Sequence, residues 1–188
     1  MYRQTQGMGN IHVQLVPTYQ QSSVIRYQLA ELQREVGGEL TVPLHLTLQS
    51  FRAPPQQLKL LEAAFGDLTR TTQPVQVKSS HLELSRGDLV CHVVPEGTMT
   101  QFFMAVKRLL LGARLEPLID KPPRHIKLLS EVKAEQLKTS DYRRTLFTGQ
   151  RLVLSQARAP GRYSALFSSP FAEVTASTLP APDLFLNI

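Results

Sequence analysis

Two short stretches of the chain hold the residue types that acid–base chemistry needs. HLTL places His45 and Thr47 two residues apart, and HIKL places His125 and Lys127 at the same interval, eighty positions further on. Both stretches alternate apolar and polar, the pattern of a strand with one face buried. On that reading Leu44, Leu46 and Leu48 enter a core while His45 and Thr47 share the opposite face. Ile126 and Leu128 do the same beneath His125 and Lys127. Each strand then offers an imidazole and, one step along the same face, a hydrogen-bond donor. Two such strands facing one another would make a phosphodiester site. One imidazole takes a proton from the attacking oxygen, and the other protonates the leaving oxygen. Histidine suits both roles because its ordinary pKa, about 6.5, lies near neutrality. Thr47 and Lys127 would donate to the non-bridging oxygens as negative charge builds there. The scheme needs no metal and no cofactor.

The elements that must position these residues can be read from periodicity. Strands are expected at 11–16 and 42–51, with a helix at 24–36 between them, capped by Ser22 or Ser23 and stopped by Gly37-Gly38. A second helix, 56–68, follows Pro54-Pro55. Strands 75–84 and 89–94 meet at Arg86-Gly87-Asp88, a hairpin signal. A third helix, 99–111, leads to the strand 124–132 that carries His125. Strands at 150–157 and 162–167 complete the reading. Strands beside helices, with a hairpin among them, point to an α+β fold rather than a doubly wound parallel sheet. Residues 1–9 read as a flexible lead-in, 10–167 as one domain and 168–188 as an arm or tail rich in Ser, Pro, Thr and Ala.

Spacing hints at an internal duplication. His12 to His45 and His92 to His125 are both thirty-three positions, and each interval reads as strand, helix, proline, histidine-bearing strand. Composition narrows the function classes. With 188 residues the chain is long enough for one core without staples. One cysteine, Cys91, allows no internal disulfide and no zinc knuckle. Lys and Arg total 21 against 15 Asp and Glu, a net charge of +6 that favours an anionic partner. No stretch reaches the roughly 20 apolar residues of a membrane span, and the opening MYRQTQGMGN lacks the apolar core of a signal peptide. A cytoplasmic protein, monomeric and without membrane association, is the expectation. Ser50 and Ser130 lack the partners of a serine hydrolase, and no His/Asp/Glu spacing reads as a metal site. Three further residues are weighed for substrate contact. Phe51 shares the parity of His45 and could stack a base. Arg124 precedes the second histidine, on the opposite parity. Tyr163 lies on a closing strand. His12, His81, His92 and Cys91 are read as structural.

At this point the sequence resembles the 2H phosphoesterase superfamily, which includes the 2′-5′ RNA ligase-like proteins and the cyclic phosphodiesterases. That family is named for two His-x-Thr/Ser motifs, here matched by His45-Leu46-Thr47 and His125-Ile126-Lys127. The order of elements over residues 10–167 is similar too. The resemblance implies a bilobal fold with a pseudo-two-fold, two mainly antiparallel sheets with flanking helices, and the motifs facing across a central cleft. It implies metal-independent chemistry on RNA ends or small nucleotides, at a 2′,3′-cyclic phosphate or a 2′-5′ linkage. His45 and His125 would be the acid–base pair and Thr47 a phosphate ligand. Lys127 departs from the pattern. Lysine can hold a phosphate as a point charge but offers no short hydroxyl. A catalytically weak RNA- or nucleotide-binding protein that keeps the cleft is therefore the alternative.

Overall fold

Thr18-Tyr19-Gln20-Gln21 starts the first helix, five residues before the expected point. The Thr18 hydroxyl accepts from the Gln21 amide (3.1 Å), and the Gln21 side chain accepts from the Thr18 amide (3.3 Å). This is a capping box, which satisfies two amides that a helix N-terminus leaves free. Ser22 and Ser23 lie inside the helix, with Tyr19 exposed ahead of them. The computed structural model describes residues 10–133, 141–159 and 162–172. The elements are β1 (Ile11–Val16), α1 (Tyr19–Val36), β2 (Glu39–Leu40), β3 (Leu46–Phe51), α2 (Pro55–Arg70), β4 (Val75–Ser85), β5 (Asp88–Val94), α3 (Gly97–Gly112), β6 (His125–Ser130), β7 (Asp141–Gly149), β8 (Arg151–Ala159) and β9 (Arg162–Pro170). No helix among the described residues is long and apolar enough to cross a membrane.

The strands form two antiparallel sheets, ordered β3-β1-β8-β9 and β2-β6-β5-β4-β7. With three helices this is the expected α+β architecture. Each sheet sets a motif-bearing strand beside the strand that precedes it across a helix: β3 beside β1, and β6 beside β5. The registers differ, however. His92 pairs directly with His125, whereas His12 pairs with Ser50 rather than His45. The short strand β2 and the crossing that follows it account for the offset, having no counterpart before β6. Leu15, Leu46, Leu48, Phe65, Phe103, Val106 and Leu128 are fully buried between sheets and helices.

Three departures from the sequence reading bear on the site and the core. The β1–β3 register shifts between Val13 and Gln14: Gln14 faces Thr47, and Val13 faces Gln49, so Leu48 is the extra residue of a bulge. A bulge reverses the facing of the residues beyond it. Ser50 therefore joins His12 on the polar face, while Phe51 turns inward and is wholly buried. Phe51 is a core residue and cannot stack a base. Second, β7 pairs along β4 and was hidden by its composition, DYRRTLFTG, whose charged start masks a strand. Third, β9 runs to Pro170, and Phe171 beyond it is buried against Phe102 with ring centroids 5.1 Å apart. The folded body thus continues past 167. The lead-in 1–9 and residues 173–188 of the tail lie outside the described residues.

Candidate active site

His45 stands just before β3, in the segment where the chain passes from one sheet to the other. Upstream, β2 pairs with β6, and the Thr41 amide donates to the Leu128 carbonyl (2.9 Å). Four residues later comes His45, which an extended chain places no more than about 14 Å away. Its Nδ1 lies 2.7 Å from the Pro43 carbonyl. A carbonyl only accepts, so Nδ1 carries the proton and Nε2 of the neutral ring bears the lone pair. Burial lowers the pKa of His45, partly offset by that hydrogen bond, which favours the charged form. Burial and, secondarily, the neighbouring His45 lower His12 as well. His12 Nδ1 lies 2.8 Å from Ser50 Oγ. Tyr163 of β9 presents to both rings edge to face, at 5.3 Å from His45 and 5.5 Å from His12. Thr47 is half-buried beside Gln14, and its hydroxyl bonds no side chain among the described residues. The structure thus gathers His45, Tyr163, His12 and Ser50 at one place.

The second half is built on β6. His125 and Lys127 are exposed, and Ile126 and Leu128 are buried, as the alternation predicts. The Lys127 ammonium is already paired with the Asp88 carboxylate at 2.5 Å. His125 faces His92 across the ladder. The His92 ring stacks on His81 at 4.1 Å, and its Nε2 hydrogen-bonds the Glu83 carboxylate. Arg124 is exposed at the entry to β6, where its carbonyl accepts from the Val93 amide (2.7 Å). Cys91 is buried, and desolvation pushes its thiol up to about 12, which leaves it unreactive at neutral pH.

Two of the connections between the halves bear on the motifs. The first is the crossing that carries His45. The second is the segment leading into His125, which is fastened to β3: Ser50 O accepts from the Leu118 amide (2.8 Å), and the buried Gln49 side chain bonds both the amide and the carbonyl of Ile119. Among the described residues, no hydrogen bond, ion pair or ring contact links His45 to His125 directly.

Sequence reasoning passed over His12, His81 and His92. Hairpin arithmetic could have found two of them. Around the turn, Ser85 pairs with Asp88, Leu84 with Leu89, Glu83 with Val90 and Leu82 with Cys91. The next step sets His81 opposite His92. His12 carried no such signal, because its neighbour Tyr163 arrives from the far end of the chain.

The sequence matches no family profile and no curated protein. Solved structures do match. One described as a phosphoesterase is 14% identical, covering 89% of this chain and 100% of its own, with a TM-score of 0.65. LigT of E. coli, complexed with 3′-AMP, is 13% identical over 88% of this chain and 99% of its own, with a TM-score of 0.64. A Thermus thermophilus protein is 15% identical over 86% and 97%, with a TM-score of 0.60. Two antiparallel sheets and three helices among the described residues, with this likeness across nearly the whole body, agree: the chain shares the fold of LigT and of the structure described as a phosphoesterase.

Proposed function

We propose that the protein is a metal-independent phosphodiesterase acting on RNA ends or small nucleotides. The observation that carries this reading is the hydrogen bond from His45 Nδ1 to the Pro43 carbonyl. It sets the ring in the tautomer a general base needs, with Nε2 free to take a proton, and burial keeps the ring uncharged. At a 2′,3′-cyclic phosphate, His45 Nε2 would accept a proton from water as the water oxygen bonds to phosphorus. The bond from phosphorus to one ribose oxygen breaks, and His125 gives that oxygen a proton. Thr47 would hold a non-bridging oxygen. LigT, which shares the fold, is known in complexes with 3′-AMP, ATP and phosphate, and the +6 charge of this chain suits such anions.

One observation favours a second reading. Lys127 stands where the resemblance wants a hydroxyl, and its charge is taken up by Asp88. A phosphate would meet a weaker donor there, as in a binding protein with little turnover. The test is an assay with EDTA present, on 2′,3′-cyclic nucleotides and 2′-5′-linked dinucleotides. Wild-type turnover that His45→Ala and His125→Ala each cut by about 10²–10⁴-fold would support the paired-histidine mechanism. No turnover, with nucleotide affinity intact and activity gained by Lys127→Thr, would favour the binding protein. No turnover and no nucleotide affinity would sink both.

A further inference from the structure

Three potential metal ligands converge on the polar face of the second sheet, outside the proposed acid–base pair. His81 and Glu83 sit two residues apart on β4, flanking the buried Leu82, so both project to the exposed face. His92 projects from β5 between buried Cys91 and Val93. One nitrogen or oxygen atom from each side chain lies within 4.8 Å of the other two. We propose that His81, Glu83 and His92 form a binding site for a divalent transition-metal ion of the zinc class.

The chemistry of the set supports it. Two imidazoles and one carboxylate suit zinc, nickel or copper, whereas magnesium and calcium want oxygen ligands throughout. Three protein ligands with an open fourth position is also a common zinc arrangement. With metal–ligand distances of about 2.1 Å, tetrahedral ligand atoms stand about 3.4 Å apart. Small rotations of these exposed side chains close the difference. The geometry is partly set in advance. Ser80 Oγ lies 3.0 Å from His81 Nδ1, the kind of oxygen partner that orients a metal-binding imidazole. His92 Nε2 and the Glu83 carboxylate are hydrogen-bonded to one another, so both already point into this corner. The stack brings both imidazoles to this corner, and one exposed ring turns out of it for the two lone pairs to meet at one ion. The neighbouring strand of the same face carries His125, opposite His92, so a bound ion would place positive charge beside the second motif.

The test is calorimetric titration of the full chain, without substrate, using zinc chloride alone. Saturable binding of one ion per chain is expected. His81→Asn and Glu83→Gln should each weaken it by at least about tenfold, and His45→Asn should leave it unchanged. The substituted side chains lie on the exposed face, and unchanged thermal melting of the metal-free variants would confirm that they fold. Absence of saturable zinc binding by the wild type overturns the proposal, as does wild-type affinity in both variants. Because the readout is binding, it stands apart from whether the protein turns over any phosphodiester.

Discussion

The two imidazoles of the first half lie close together, each meeting the Tyr163 ring. Burial lowers both, and each would be further disfavoured by a proton on the other. The sign follows for catalysis. A base works in its neutral form, so the acid limb of kcat/KM should lie below pH 6.5, the ordinary histidine value. Tyr163→Ala would admit water to His45 and move the limb upward. A pH–rate profile of the two proteins checks this, and a wild-type limb at or above 6.5 would refute the desolvation argument. The ion pair of Lys127 acts at the same scale. Asp88→Asn leaves the ammonium unpaired on an exposed strand, so nucleotide affinity measured at low salt should rise. Equal affinity would mean that Lys127 does not face the phosphate. The exposed facing of His125 and Lys127 on β6 was legible because strand alternation needs only neighbours in sequence. The partners of His45 and Lys127 were not, since Tyr163 and Asp88 reach them through pairings that span the chain.

Helices and strands declared themselves unequally. The apolar stripe of α1, with Ile25, Leu29 and Val36 buried, was plain, but its start was hidden behind two serines. Thr18 outcompetes them because Gln21 can return its hydrogen bond. Thr18→Ala should therefore cost about 1 kcal/mol, read by urea unfolding, while Ser23→Ala should cost far less. An equal loss at both positions would reject the assigned cap. The β4–β5 hairpin was legible to within one residue at each strand end: Ser85 and Asp88 pair, and the turn is Arg86-Gly87, with positive φ angles of 53° and 80°. That is the two-residue turn whose twist suits a hairpin. The β3 bulge was not legible. Nothing in LTLQSF marks Leu48 as the extra residue; only β1 alongside defines it. One such residue decides whether Phe51 or Ser50 faces His12.

At the scale of the whole molecule, contacts distant in sequence hold the last described residues. Phe171 is buried against Phe102 of α3, and the Phe171 amide donates to the Gln150 carbonyl (3.0 Å). Phe171→Ala should lower stability by about 3–5 kcal/mol, which for a chain of this size lowers the melting temperature by roughly 6–20 °C. A shift within error would place Phe171 outside the core. The paired 33-residue spacings foreshadowed one shared feature, β3 beside β1 and β6 beside β5, but not the strands that complete each sheet, because that is a matter of long-range pairing. The completion has a consequence for how the protein is made. The second sheet draws its long strands from the middle of the chain, whereas the first joins β1 and β3 to β8 and β9. A ribosome therefore delivers His12 and His45 well before β8 and β9. Until residues 151–170 emerge, the first histidines have no Tyr163 and their sheet has only two strands. An exposed strand edge should remain at β1 until residues 151–170 have emerged.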